Sequence, residues 1–334
     1  MIKDFTKRNP KALIIAAFAA VYLIWGSTYL AISIAVKTIP PFFMSGIRFS
    51  VAGLILLTWA LLKGEKIPDI TSILKISLSG ILLLAVGNAS LGWVEQYIPS
   101  GLAAIIVATV PLWFVLLDKR QWKFYFSNKQ IIFGLIVGFA GVIVLFSGKS
   151  STDLFNDKMK LISLLVLMAG TLSWTIGSLY SKYQKMQGST LMKVSVQMLS
   201  SSIVIFISSF ALGEQKELSS NLVTWKSIGA LAYLILMGSL VAYMAYMWLL
   251  SVRPASVVGT YAYVNPVVAV FLGWVVAKES ISYEKIIGLA IVIVGLIIVN
   301  LSKEKKLSGV SKKSEHVVKL QEQKDASLAK TSSS

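Results

Sequence analysis

The sequence predicts an all-α integral membrane protein with ten transmembrane helices, arranged as two inverted five-helix repeats with both termini in the cytoplasm. Three observations support this prediction: an apolar composition, ten apolar runs of bilayer-spanning length, and an internal duplication. Of the 334 residues, 56% are hydrophobic and 14% are charged, whereas soluble domains carry about 25% charged residues. The chain therefore has too little polar surface to cover itself in water, and we expect it in lipid.

Ten apolar runs are long enough to cross a bilayer, for which a helix needs about 20 mostly apolar residues. They are residues 13–34, 42–62, 75–97, 100–118, 130–147, 159–181, 190–212, 227–250, 256–277 and 283–301, called spans 1 to 10 below. The basic start of the chain resembles a secretory signal. We interpret span 1 as a retained helix, because its apolar run continues through Trp25 to Val36 and exceeds the about 7–15 residues of the apolar region of a signal.

The distribution of lysine and arginine predicts that both termini are cytoplasmic, because cytoplasmic loops carry the excess of these residues. With the N-terminus inside, this side collects the basic residues of the N-terminus, of the loops after spans 2, 4, 6 and 8, and of the C-terminal tail. The formal net charge of +17 is then mostly a topology signal. The basic residues form no stripe with interleaved aromatics, so no nucleic acid partner is predicted.

An internal duplication divides the spans into two halves. The segment from Pro99 to Pro111 reads PSGLAAIIVATVP, and the segment from Pro254 to Pro266 reads PASVVGTYAYVNP. In each segment the second proline falls near the middle of an apolar run. A proline inside a helix removes one backbone donor and frees a carbonyl, so Pro111 and Pro266 are predicted to break spans 4 and 9. The alternative is that each proline only kinks its helix to shape the bundle.

The predicted halves are residues 12–147 and 158–302, followed by a disordered basic cytoplasmic tail over residues 303–334. Each half holds five spans. Because this number is odd, the second half enters the membrane in the opposite sense, and the repeats are inverted. Inverted repeats with helices interrupted at equivalent positions are typical of secondary transporters, which hold substrate near the bilayer midplane. The sequence therefore favours transport.

Four strings carry a family resemblance: WGSTYLAI, TIPPFFMSGIRF, WVEQYIPSGLAAIIVATVPLW and VRPASVVGTYAYVNPVVAVFLGW. They resemble the EamA-type permeases of the drug/metabolite transporter superfamily, and the likeness extends over residues 12–302. It implies a ten-helix inner-membrane carrier whose central cavity is lined by spans 1–4 and 6–9, with spans 5 and 10 at the periphery. It also implies that amino acids, nucleosides or other small metabolites are moved, usually outward.

Two charged residues at membrane depth are candidates for substrate binding. Arg48 in span 2 and Glu95 near the end of span 3 are both expected toward the outer side. A charge at this depth is costly unless it faces protein or water, so we predict that the two side chains pair. Either Arg48 binds a substrate carboxylate and Glu95 titrates with a coupled proton, or the pair ties two helices together. Glu95 reaching the headgroup region is a further alternative.

Further candidates for substrate binding are polar and aromatic residues inside the spans. Asn265 beside Pro266 adds a hydrogen-bonding side chain, and an amphipathic cavity is expected to contain aromatic rings. These candidates are Trp25, Asn88, Trp93, Trp174, Gln197, Tyr261 and Asn265. Trp174 repeats Trp25, and Gln197 repeats Arg48. Gly134 and Gly138 form a small-xxx-small pattern in span 5, which we assign to helix packing or dimerisation.

Several function classes are disfavoured by what the sequence lacks. It has no cysteine and a single histidine, His316, in the tail, and it shows no Walker loop or H-E-x-x-H motif. We therefore predict no enzyme activity, no metal site and no cofactor. The expected partners are a small-molecule substrate and the lipid bilayer, and a homodimer is left open.

The predicted function is secondary active transport at the plasma (inner) membrane. The chain is expected to export amino acids or related small metabolites by alternating access, with proton coupling through Glu95 as a hypothesis. The alternatives are a multidrug or lipophilic-cation exporter, a channel, and a membrane receptor that transports nothing.

Overall fold

The computed structural model describes residues 10–98, 100–145, 157–216, 223–277 and 283–301, and these are helical with short connections. Pro99 and the predicted tail at 303–334 lie outside the described residues. The helices are α1 Pro10–Ala35, α2 Pro41–Leu62, α3 Ile70–Val94, α4 Ser100–Val107, α5 Val110–Leu117, α6 Trp122–Ser127, α7 Lys129–Leu145, α8 Lys158–Tyr183, α9 Thr190–Leu212, α10 Trp225–Val252, α11 Ala255–Val258, α12 Tyr261–Ala277 and α13 Tyr283–Leu301.

Six helices in the described part of the chain are long and apolar enough to cross a membrane: α1, α2, α3, α8, α9 and α10. The α6 and α7 helices meet this test together but are bent by 94° at their junction, so the number of candidate spans rises to seven if they count as one. The remaining apolar helices fall on predicted spans 4, 9 and 10. The all-helical membrane class is thus supported, while the ten-span count and the side of each terminus stay predictions.

Side chains in the sequence explain where the helices of the second half begin and end. The Asp157 carboxylate accepts from the first backbone N–H groups of α8, Ser189 does so for α9, and Thr224 for α10. These caps satisfy N–H groups that lack partners within a helix. Gly213 ends α9 with a φ of 76°, a left-handed conformation that favours glycine.

Helices of the two predicted halves pack against each other throughout the bundle. The α2 helix packs against α9, α3 against α8, α1 against α10 and α12, and α7 against α13. In the last pair the backbones meet closely: a Cβ atom added at Gly134 would lie only 2.9 Å from the Gly295 carbonyl oxygen. Gly138 lies against the Tyr263 ring. The predicted glycine stripe is therefore covered within the chain, and a homodimer would need another surface.

Two π-helical segments occupy equivalent positions in the two halves. They are Ile81–Asn88 in α3 and Leu234–Tyr243 in α10. The offset that aligns Pro99 with Pro254 in the sequence also places these segments on each other. Such segments are rare and frequently occur at functional sites. Nothing in our sequence analysis predicted them.

Spans 4 and 9 are both interrupted, but only one interruption coincides with its proline. Pro111 lies in the first turn of α5, directly after the break that separates α4 from α5. In span 9 the break separates α11 from α12 at Gly259 and Thr260, whereas Pro266 lies inside α12. The prediction that Pro266 breaks span 9 is wrong. The turn forms earlier, where the Thr260 hydroxyl donates to the Val257 carbonyl at 2.7 Å.

Candidate functional site

A cavity with a volume of about 70 Å³ lies within the bundle. It is bounded by α1, α2, α3, α8 and α12 and by the broken span made of α4 and α5. Its lining residues are Trp25, Thr28, Tyr29, Ile32, Arg48, Gly87, Asn88, Leu91, Val107, Val110, Leu167, Gly170, Thr171, Trp174, Tyr261 and Asn265.

The structure brings six of the nine predicted substrate-binding residues to this cavity. They are Trp25, Arg48, Asn88, Trp174, Tyr261 and Asn265. They come from α1, α2, α3, α8 and α12, and are therefore far apart in the sequence. The other three, Trp93, Glu95 and Gln197, are absent from the cavity lining.

An aromatic cluster borders the cavity and contains Trp25, Trp174, Tyr243, Tyr246 and Tyr261. The repeat-equivalent tryptophans Trp25 and Trp174 meet edge to face, with ring centroids 5.6 Å apart. Tyr261 lies 4.8 Å from Trp25 in a similar geometry. The Trp174 indole donates to the Tyr246 hydroxyl at 3.1 Å, and the Trp25 indole donates to a backbone carbonyl of α10. Edge-to-face pairs with satisfied N–H groups make a rigid apolar wall.

Arg48 supplies a positive charge to the same cavity, although its side chain is only 4% exposed. Its Nε donates to the Ser239 hydroxyl in the π-helical segment of α10 at 2.8 Å. The guanidinium carbon also lies 5.0 Å from the centre of the Phe49 ring. Within the described residues its Nη groups have no hydrogen-bond partner. A guanidinium donates through five N–H bonds, and the bond to Ser239 uses one of them.

Amide groups complete the polar part of the lining. The Oδ1 atom of Asn265 is buried and has no hydrogen-bond partner in the part of the chain that the structure describes. Buried polar atoms are nearly always paired, and Asn265 lines the cavity, so this oxygen is available to a ligand that donates a hydrogen bond. Asn88 lines the cavity at the end of the π-helical segment of α3.

Glu95 does not pair with Arg48, because no ion pair joins them within 4.0 Å. The predicted pairing is therefore wrong, and Ser239 is the partner of Arg48. Glu95 follows α3 directly, and its Oε1 is buried without a hydrogen-bond partner among the described residues. The Glu95 carboxyl group is thus separate from the Arg48 guanidinium.

Gln197 and Trp93 have structural partners instead of a place in the lining. The Gln197 amide nitrogen donates to the Ser79 hydroxyl at 2.8 Å, and its oxygen accepts from Tyr243 at 3.1 Å. These bonds satisfy the amide between α3, α9 and α10. The Trp93 ring packs on Tyr97, with ring centroids 4.9 Å apart. Both residues were predicted to bind substrate because they are polar or aromatic and lie inside predicted spans. These properties do not reveal the direction in which a side chain extends from its helix.

A buried carboxylate at one end of the bundle was not predicted from the sequence. Asp118, 2% exposed, follows α5 and accepts from Tyr183 at the end of α8, with both oxygens 2.8 Å from the tyrosine hydroxyl. It also accepts from Tyr125 in α6 at 3.2 Å. We call these three residues the Asp118 cluster. In the sequence Asp118 directly precedes Lys119 and Arg120, which is typical of a solvated loop charge.

The residue before Tyr183 in α8, Lys182, strengthens the closure of this end. Lys182 donates to the backbone carbonyls of Leu250 and Arg253, the latter at 2.7 Å. Eight residues separate Lys182 from Trp174 on the same helix, which corresponds to about 12 Å. The Asp118 cluster and Lys182 therefore close the bundle on the side of the aromatic cluster that is away from the cavity.

We expect Gly238→Ala to weaken substrate binding roughly tenfold without removing a charge. A Cβ atom at Gly238 would lie 2.9 Å from Arg48 Nη2, so the guanidinium has to move by a few tenths of an ångström. Small displacements of a positioning group are costly in a preorganised site. Gly229→Ala in the same helix is the matched control, because no atom lies within 4 Å of its added Cβ. Equal half-saturation concentrations in the two variants would contradict this prediction.

The fold and this cavity together define a multi-pass helical membrane protein with an internal cavity. The model of the EamA-like transporter family matches residues 12–147 and 161–301, and the chain belongs to that family.

Named relatives agree with this assignment. The chain is 38% identical over 288 residues to the inner membrane transporter YedA of Escherichia coli strain K12, covering 86% of this chain and 90% of YedA. It is 24% identical over 281 residues to the transporter YoaV of Bacillus subtilis strain 168, covering 83% and 93%. One crystal structure superposes with a TM-score of 0.69 at 18% identity, over 87% of this chain and 98% of the other, which shows a shared fold. The chain is thus a multi-pass transporter of the inner membrane.

Proposed function

We propose that the chain is a secondary active transporter that exports amino acids or related small carboxylated metabolites by alternating access. The observation that carries this proposal is the buried Arg48 guanidinium, which lines the same cavity as Trp25, Trp174 and Tyr261 and forms no ion pair within the described residues. Guanidinium groups bind carboxylates through two parallel hydrogen bonds. Asn265 offers an acceptor to a second group of the same ligand. Outward direction is proposed from the family resemblance.

The proposed architecture is ten spans in two inverted repeats, residues 12–147 and 158–302, with both termini in the cytoplasm. Four observations support it. Helices occur at each predicted span, the π-helical segments recur at equivalent positions, and the repeat-equivalent Trp25 and Trp174 contact each other. The family model also matches the chain over two separate ranges.

In this topology the cavity lies nearer the outer surface than the Asp118 cluster does, and on this basis we propose an outward-facing state. The Asp118 cluster lies at the cytoplasmic ends of α5 and α8, and the aromatic cluster separates it from the cavity. Alternating access then requires that the Asp118 cluster opens while the outer end of the cavity closes. Helices of the two proposed repeats meet at both places, so rocking of one repeat on the other changes both.

The alternatives fit these observations less well. A lipophilic cation would meet the positive charge of Arg48 in a site of low polarity, where repulsion between like charges is strong. A channel needs a continuous path, whereas the aromatic cluster and the Asp118 cluster lie in series across the bundle. A receptor that transports nothing remains an outcome of the test below.

The test is counterflow with purified protein in liposomes. Labelled amino acids, other carboxylated metabolites, nucleosides and a lipophilic cation are offered to vesicles that contain the same unlabelled compound. We expect accumulation of label for at least one carboxylated compound and none for its methyl ester, which lacks the charge that Arg48 binds. Exchange of the lipophilic cation alone would support the alternative exporter. Exchange of nothing across the panel would overturn the carrier proposal in favour of a receptor.

Proton coupling through Glu95 is tested with the substrate found in that screen. A pH gradient is imposed across the vesicles, and net flux is measured for the wild type and for Glu95→Gln. We expect the gradient to drive net flux in the wild type and not in the variant, while counterflow persists in both. A gradient response that survives in Glu95→Gln would overturn this part of the proposal.

A further inference from the structure

A groove separate from the central cavity runs along the outside of α1, between α10 and α12. On α1 the groove residues are Ser27, Leu30, Ala31 and Ile34, which lie on the helix face opposite the cavity residues of the same helix. Ala230, Tyr233 and Leu272 form the other walls of the groove. The mouth of the groove is formed by Lys37, Thr38, Thr224, Lys226 and Ser227. The groove is thus apolar along its length and basic at one end.

The basic end lies at the depth of lipid headgroups. Lys37 follows the last turn of α1, and Lys226 lies in the first turn of α10, so both mark the same end of the bundle. Trp225 beside them is 86% exposed, the largest exposed fraction of any tryptophan with a stated exposure. Exposed tryptophans at helix ends are typical of the membrane interface.

The two lysines are not explained by the fold. A positive side chain in the first turn of a helix opposes the helix dipole, so Lys226 destabilises α10 slightly. Neither Lys37 nor Lys226 forms an ion pair within the described residues. The dipole of this helix end adds to the attraction for an anion. The mouth therefore favours a negatively charged group.

The hydroxyl groups near the mouth are already used by the protein. Thr38 donates to the Ser227 hydroxyl at 2.7 Å, and Ser227 donates to the Ile34 carbonyl at 3.2 Å, which joins α1 to α10. Deeper in the groove, the Ser27 and Tyr233 hydroxyls share a hydrogen bond of 2.6 Å. The body of the groove thus offers few free polar groups and suits a hydrocarbon chain.

We propose that this groove binds an anionic phospholipid, with its phosphate between Lys37 and Lys226 and one acyl chain along α1. A phospholipid combines the two chemistries that the groove presents, at the depth where its headgroup resides. The proposal needs only that both lysines lie at one membrane surface, so it does not depend on which surface that is. It is also independent of the proposed substrate.

The bound lipid would contact the helix that carries the cavity residues Trp25 and Tyr29. Because α1 packs against both α10 and α12, a chain inserted in the groove fixes the spacing of these helices. Lipid occupancy is therefore expected to stabilise the outward-facing arrangement, in addition to stabilising the fold.

The experiment is native mass spectrometry of the purified full chain titrated with dioleoyl-phosphatidylglycerol. The charge variant is Lys37→Gln/Lys226→Gln, whose surface substitutions leave the core intact. Its matched control is Lys158→Gln/Lys160→Gln, which removes two lysines from the start of another helix, α8. We expect one tightly retained lipid in the wild type and in the control, and at least fivefold weaker retention in the charge variant.

Three further arms identify the part of the lipid that is bound. Dioleoyl-phosphatidylcholine tests net charge, dihexanoyl-phosphatidylglycerol tests the acyl chain, and inorganic phosphate tests the headgroup alone. We expect each to bind less than dioleoyl-phosphatidylglycerol, and Leu30→Trp, which fills the groove, to remove the preference for long chains. Equal retention of the long-chain lipid in both double variants would overturn the proposal. Equal binding of inorganic phosphate would do so as well, because the apolar groove would then play no part.

Discussion

Arg48→Gln is expected to abolish transport of the carboxylated substrate while the protein remains folded. The guanidinium is held by Ser239 and Phe49, so its Nη donors are positioned before substrate arrives. Removal of one partner of a buried charged hydrogen bond costs about 2–5 kcal/mol. Since about 1.4 kcal/mol corresponds to a factor of ten, affinity should fall about 30-fold or more. Counterflow over a range of substrate concentrations measures this loss.

Controls separate loss of the binding group from loss of charge or fold. Lys63→Gln removes one positive charge at an exposed position above the Trp59 ring and should transport normally. Arg48→Lys should retain weak transport, because an ammonium group keeps the charge but loses the planar two-bond geometry. Size-exclusion profiles should match the wild type in all three variants. Full activity in Arg48→Gln would exclude Arg48 as the binding group.

Tyr183→Phe and Asp118→Ala are expected to open the end of the bundle that the structure shows closed. Each removes the hydrogen bonds between the end of α8 and the carboxylate after α5. Hydrogen bonds to charged groups contribute about 1.5–3 kcal/mol, so the ratio of open to closed states should rise about tenfold or more. The natural chain contains no cysteine, so a single introduced Ser178→Cys can report this opening through its rate of maleimide labelling.

Ser178 lies on α8 between the aromatic cluster and the Asp118 cluster and is fully buried. We expect slow labelling in the otherwise unchanged protein and about tenfold faster labelling in the two variants. Tyr180→Phe is the matched control, because it also removes a tyrosine hydroxyl from α8. The Tyr180 hydroxyl has no hydrogen-bond partner in the described residues. Labelling that accelerates equally in Tyr180→Phe would show a general loosening of α8 and contradict a gating role.

The sequence predicted the fold class and much of the cavity for clear physical reasons. Long apolar runs require helices in lipid, and residues such as Arg48 and Asn265 are too polar to face hydrocarbon. The repeat then related Trp25 to Trp174, which contact each other in the structure. These predictions rest on properties of single residues or on a periodicity, both of which a sequence displays directly.

The missed features depend on three-dimensional packing. Arg48 and Glu95 were matched by depth, but depth does not specify the direction in which side chains extend from their helices. Gln197 was polar enough for a cavity, yet Ser79 and Tyr243 satisfy it. Asp118 looked like a loop charge until the tyrosines of α6 and α8 were placed around it. Partners of this kind come from distant parts of the chain and leave no local pattern.

The paired π-helical segments in α3 and α10 have a consequence for movement. A π turn holds one residue more than an α turn. If this extra residue moves along the helix, the residues between its old and new positions rotate about the helix axis by roughly 100°, the angle per residue of an α-helix. In α3, such a register shift would turn Asn88 relative to the cavity. In α10, it would turn Ser239 and thereby change the hydrogen bond between Ser239 and Arg48. Helix rotation within a continuous span can thus accompany rigid-body rocking, and the backbone needs no additional break.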